Sequence, residues 1–107
     1  MDFRISSEVR PPEAVITVAG ELDVFTSPRL RDCLQDALDT GCRIVMLDLG
    51  DVDFVDASAL GVIAVHRRSI AEVGGALHLI AWSPRFLRVC RLAGLDGAFE
   101  LTDAQPA

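Results

Sequence analysis

The sequence contains no lysine, no asparagine and no tyrosine. Without lysine it has no P-loop lysine, no Schiff-base lysine and no lysine of the kind a receiver domain uses. All ten basic residues are arginine, and they are scattered. Only Arg67 and Arg68 are adjacent, with a looser set at Arg85, Arg88 and Arg91. No basic stripe interleaved with aromatics results, which argues against direct nucleic-acid binding. The formal net charge is −6, and a partner with a basic surface suits that balance better. Cysteine is also sparse. Cys33, Cys42 and Cys90 stand far apart without a CxxC pair, an odd set that argues against a disulfide framework. Cys33 and Cys90 fall in apolar helical patterns and read as small buried thiols. His66 and His78 have no Cys or His at ligand spacing, so no zinc site is expected. No apolar run approaches the roughly 20 residues of a membrane span. Met1-Asp2-Phe3-Arg4 carries no secretory pattern. A cytoplasmic protein without membrane insertion is expected.

Half of the 107 residues are hydrophobic and 24% are charged, the balance of one domain with a real core rather than of a disordered chain. Residues 1–107 are therefore read as a single domain. Phe3-Arg4-Ile5-Ser6 alternates weakly as a strand, and Arg10-Pro11-Pro12-Glu13 reads as a turn. Ala14 to Ala19 is a β-branched strand, followed at Gly20 to Asp23 by a loop or a short continuation. Ser27-Pro28 predicts a helix over 27–40, with Ser27 as N-cap, Pro28 in the first turn and Gly41 as the stop. Arg43 to Leu49 is almost continuously apolar and predicts a central strand, ended by a turn at Gly50-Asp51. A second helix is predicted over 57–73, with Leu60, Ile63, Ala64, Arg67, Ile70 and Ala71 along one mainly apolar face and Gly74-Gly75 at its end. Ala76 to Ile80 is a short strand, and Ser83-Pro84 starts a third helix over 84–93, stopped by Gly94. Phe99 to Leu101 is a candidate last strand, and Asp103 to Ala107 reads as a frayed end. Strands alternating with helices predict an α/β fold, a mixed sheet of four or five strands packed with helices. His66 is expected on a helix surface and His78 on an edge strand.

The segment Asp51-Val52-Asp53-Phe54-Val55-Asp56-Ala57-Ser58-Ala59-Leu60 is the most informative. It leads from an apolar strand through an acidic stretch into an amphipathic helix, with one hydroxyl, Ser58, in the first helical turn. A helix start offers unpaired N–H groups and the positive end of the dipole, a favourable place for a phosphate. A serine there can alternate between a neutral and a dianionic state. The plain alternative is that Ser58 and Asp56 merely cap the helix and that Asp51 and Asp53 are solvated turn residues. A calcium loop does not fit, because the bend glycine and the downstream bidentate Glu are missing. A serine hydrolase does not fit either: there is no Gly-x-Ser-x-Gly elbow, and His66 lies two turns along the same helix. Loops following the two central strands should share one sheet edge, which brings Asp23 and Thr26 to the same surface as Ser58.

Several segments, in order and spanning almost the whole chain, resemble a STAS domain: Gly20-Glu21-Leu22-Asp23, the Ser27-Pro28 helix start, the Val45 to Leu49 strand and Asp53 to Val62. The subgroup they resemble is the bacterial anti-sigma factor antagonists. That resemblance implies a non-enzymatic, cofactor-free and metal-free protein that works by partner switching. The unmodified antagonist would bind an anti-sigma factor that is also a serine kinase, and so free a sigma factor. Phosphorylation at Ser58 would abolish binding, and a serine phosphatase would reset it. The implied partner-binding residues are Asp23, Thr26, Asp56 and Ser58. Ala57 stands where the family often has a second hydroxyl, and Ala59, which adds a Cβ beside the acceptor, where it often has glycine. The competing expectations are a STAS subunit of a transporter or lipid-transport complex, and an enzyme or nucleotide-binding domain. The missing lysine, glycine-rich loop and triad count against the last.

Overall fold

The computed structural model describes residues 2–101. The chain runs β1 (Arg4–Arg10), β2 (Glu13–Leu22), α1 (Ser27–Asp39), β3 (Ile44–Val55), α2 (Ala57–Glu72), β4 (Ala76–Ile80) and α3 (Pro84–Leu92). The strands form one four-stranded sheet in the order β1-β2-β3-β4. β1 is antiparallel to β2, whereas β2, β3 and β4 are parallel. The sheet is thus mixed, and β3, which carries the apolar run Ile44 to Leu47, lies in its interior. The turn at Pro11-Pro12 joins β1 to β2 through a cis peptide bond. The end expected to fray, from Asp103, lies outside the described residues.

Burial alternates along the strands. In β2, Ala14, Ile16 and Val18 are buried while Val15 and Thr17 face solvent; in β3, Val45, Leu47 and Leu49 are buried. A sheet with one face against helices and one open to water produces this period-two pattern. All three helices join the resulting core: Leu30 and Leu34 from α1, Leu60 and Ile63 from α2, Phe86 and Cys90 from α3. Each such side chain contributes roughly 1.5–3 kcal/mol by leaving water.

Five local expectations are corrected. Gly50-Asp51 is not a turn. β3 continues to Val55 because β2 continues beside it to Leu22, and two register shifts absorb the extra residues, so that Ala19 faces Asp51 and Leu22 faces Val55. Gly20 lies in this irregular stretch at φ +92°, and a Cβ there would come within 2.8 Å of the Asp2 carbonyl oxygen; only glycine fits such a place. Phe99 to Leu101 is not a strand. Its amides turn back onto Leu95, Gly97 and Asp96, which buries Phe99 and Leu101 against the core. Ser27 does not cap α1: Thr26 holds the N-cap position, and Ser27 sits inside the helix, buried. His66 is buried rather than on the surface, and its Nδ1 lies 2.9 Å from the Val62 carbonyl, one turn earlier. A carbonyl can only accept, so Nδ1 carries the proton. Among the thiols, Cys90 is buried as expected, and burial pushes it up to about 11, while Cys33 is only half-buried. His78 is exposed on the edge strand β4, as expected.

Candidate functional site

The parallel strands β2 and β3 end side by side, at Leu22 and Val55. The loops that leave them therefore share one edge, three and six residues further along the chain than the sequence pattern placed them. The Asp56 amide donates to the Leu22 carbonyl at 3.1 Å and ties the two loops together.

The loop after β2 is closed by its own side chains. Asp23 Oδ1 accepts the amides of Phe25 at 2.9 Å and Thr26 at 3.0 Å. The Thr26 hydroxyl accepts the Asp23 amide at 2.9 Å and donates to the Glu21 carbonyl at 2.7 Å. The Asp23 carbonyl then receives the Ser27 amide at 2.8 Å, which starts α1. Asp23 and Thr26 are thus the two ends of one clasp. Short polar side chains form such clasps because they reach backbone groups two or three residues away.

The loop after β3 is built around Asp56. Asp56 is extended at the N-cap of α2, and its Oδ1 accepts the amides of Ser58 at 3.0 Å and Ala59 at 3.2 Å. The Ser58 hydroxyl donates to the same oxygen at 2.5 Å. Burial pushes the Asp56 carboxyl up, but the hydrogen bonds from Ser58 and Ala59, with the Val24 amide nearby, outweigh it and hold the group below its usual range. The helix start is therefore not a set of open N–H groups: Asp56 already holds two of them. What remains available is the Ser58 hydroxyl oxygen, exposed, with its proton turned toward Asp56.

Of the residues singled out in the sequence, the fold brings together Asp23 with Thr26 and Asp56 with Ser58, and ties the two loops through the Asp56 amide and the Leu22 carbonyl. It does not bring in Asp51 or Asp53, which lie within β3. Asp53 contributes its carbonyl to Arg85 of α3 at 3.0 Å. Among the described residues no cluster of three His, Cys, Asp or Glu side chains is close enough to hold a metal ion. No helix among them is long and apolar enough to cross a membrane. Ala59 is fully buried, so its methyl belongs to the core and not to the surface around Ser58. Sequence reasoning missed Val24 and Phe25, which are 58% and 86% exposed between the two halves of the clasp. Their signal is an apolar pair inside a polar loop, outside any helical or strand period.

Known proteins share this fold. A curated anti-sigma-B factor antagonist of Listeria monocytogenes is 28% identical over 106 residues, covering 98% of this chain and 93% of its own length. A solved anti-sigma factor antagonist from Mycobacterium paratuberculosis superposes with a TM-score of 0.82 at 23% identity, over 96% of this chain and 87% of that one. The Bacillus cell fate determinant SpoIIAA, solved in its phosphorylated form, superposes with a TM-score of 0.70 at 24% identity, over 90% of this chain and 86% of that one. The STAS domain model matches residues 4–105, a span that takes in every strand and helix described above, so the chain belongs to the STAS domain family.

Proposed function

We propose that this chain is an anti-sigma factor antagonist that works by partner switching, with Ser58 as its phosphoacceptor. One observation carries the reading. Three serines lie at helix starts, and only Ser58 has an exposed hydroxyl that does not cap: Ser27 is buried, and Ser83 Oγ accepts the Phe86 amide. Asp56 does the capping of α2 and leaves the hydroxyl oxygen facing outward. The curated relatives named anti-sigma-B factor antagonists, and a fold shared with a protein solved in a phosphorylated form, support the same reading.

In this reading the unmodified protein binds an anti-sigma factor that is also a serine kinase, through the surface around Ser58, Asp56 and the 23–26 loop. Asp23 and Thr26 serve that surface by shaping the loop. The kinase transfers the γ-phosphoryl group of ATP to Ser58 Oγ, the hydroxyl proton leaves and ADP is released. The ester oxygen no longer donates to Asp56, and a dianion now stands beside a carboxylate. The partner contact is lost, and a serine phosphatase restores the hydroxyl. Mass spectrometry after incubation with each anti-sigma factor serine kinase of the source organism, with Mg-ATP, tests this. One phosphate on Ser58 is the expected result. Phosphate on Thr26, or none with any of the kinases, overturns it.

A further inference from the structure

We propose that Phe25 is the apolar anchor of the partner contact, entering a pocket on the anti-sigma factor that is rimmed by basic side chains. This rests on the function proposed above and adds the residue that gives the contact its lifetime. Phe25 is 86% exposed, the most exposed large hydrophobic side chain among the described residues. It is not on a slack loop. Its own amide and the following amide of Thr26 are held by Asp23, and the Asp23 amide, two residues earlier, by the Thr26 hydroxyl. The backbone is pinned on both sides while the phenyl ring projects into water. Nothing in the clasp needs an aromatic there, since the hydrogen bonds come from the backbone of residue 25 and not from its side chain. A ring held out in this way costs little entropy to dock, and buried aromatic anchors dominate the energetics of many interfaces.

The surroundings select the occupant. Val24 is 58% exposed beside the ring, and Phe54, in register with Glu21, is 46% exposed at the neighbouring strand end. The carboxylates of Glu21, Asp23 and Asp56 belong to these same strand ends and loops, and the guanidinium bonded there, that of Arg85, lies on the Asp53 carbonyl at the Phe54 side. A second copy of the chain would set these carboxylates against their own kind, and an anionic membrane would repel them. A protein with arginines or lysines around an apolar pocket fits. The Asp56 amide bond to the Leu22 carbonyl ties the two loops at one edge, so a single partner covers both the anchor and the Ser58 surface. Leu92, 83% exposed on α3, has no such setting, because its neighbours on the helix are Arg88 and Arg91.

The test is surface plasmon resonance with the anti-sigma factor serine kinases of the source organism, comparing wild type with Phe25→Ala, Phe25→Tyr and Leu92→Ala. For a kinase that binds the wild type, Phe25→Ala should raise the dissociation rate about 30-fold or more, with the association rate nearly unchanged. Phe25→Tyr should restore wild-type dissociation to within about threefold, and Leu92→Ala should leave it unchanged. The melting temperature of each variant, measured alongside, should match the wild type and so separates a lost anchor from a lost fold. Wild-type dissociation from Phe25→Ala overturns the anchor while leaving the function standing. A wild-type dimer in sedimentation that Phe25→Ala dissolves overturns it in favour of a second copy. Failure of the wild type to bind any of the kinases overturns the function and the anchor together.

Discussion

α2 and α3 begin with the same problem and solve it with different side chains. Each leaves orphan amides in its first turn. At α3 the serine itself is the cap: Ser83 is extended, and its hydroxyl accepts the Phe86 amide at 3.1 Å. At α2 an aspartate takes that task two residues before the serine, and the serine hydroxyl is a donor to the cap rather than the cap. A capping hydroxyl directs its lone pairs into the helix; a hydroxyl that donates to a cap keeps them outward. The difference separates a serine that closes a helix from one that can be modified without unmaking its helix. The α2 cap residue is also tied through its amide to the Leu22 carbonyl, just before the 23–26 loop, whereas Arg85 links the α3 start to the Asp53 carbonyl near a strand end. Chemistry at Ser58 therefore sits next to a loop that presents apolar side chains, and chemistry at Ser83 does not.

The sharpest way to break this comparison is to place a charge at each serine. Ser58→Asp should fold and lose partner affinity on the order of 2–5 kcal/mol, because the carboxylate adds negative charge at a contact shaped for a neutral hydroxyl. Ser83→Asp keeps a good cap and should bind within about twofold of wild type. Isothermal titration with the anti-sigma factor kinase measures both, and equal losses would mean that the two helix starts do not differ as described.

The second test concerns the caps themselves. Asp56→Ala should cost about 1–2 kcal/mol at neutral pH, through the loss of two amide bonds at the start of α2. The sign of its pH dependence follows from the lowered Asp56 value. A carboxyl held lower in the folded state than in the unfolded chain stabilises fully above its ordinary value of 3.8. That stabilisation fades as the pH falls through the lower folded value. The gap between wild type and Asp56→Ala should therefore be open at pH 7 and close in strong acid. Urea unfolding followed by the fluorescence of Trp82, the only tryptophan and a buried one, reads the gap at each pH. Ser83→Ala should cost about 1 kcal/mol in the same measurement, with partner binding unchanged. The smallest effect is expected for Ser58→Ala, within about 0.5 kcal/mol of wild type, since the amides stay with Asp56. It should also be refractory to the kinase.

Much of this architecture is legible in the residues. The period-two burial of β2, the apolar run of β3, the glycines after the helices and the Ser-Pro start of α3 all follow from local chemistry, and so does Asp56 as a cap. The identical Ser-Pro-Arg at residues 27–29 and 83–85 marks the limit of that reading. At 83 the serine caps, while at 27 the clasp of Asp23 and Thr26 advances the helix start by one residue and buries the serine. Gly50 shows the same limit, because its turn chemistry yields to pairing with β2.

By itself the sequence determined an alternating α/β chain with one hydroxyl in the first turn of its second helix, because backbone propensity, capping and hydrophobic period act over a few residues. Only the tertiary structure decided that β2 and β3 end together and that the Asp56 amide ties their two loops. It alone buries Ala59, exposes Ser58 and holds Phe25 out in water. Those outcomes depend on register and on contacts between residues distant in the chain, which no local pattern encodes.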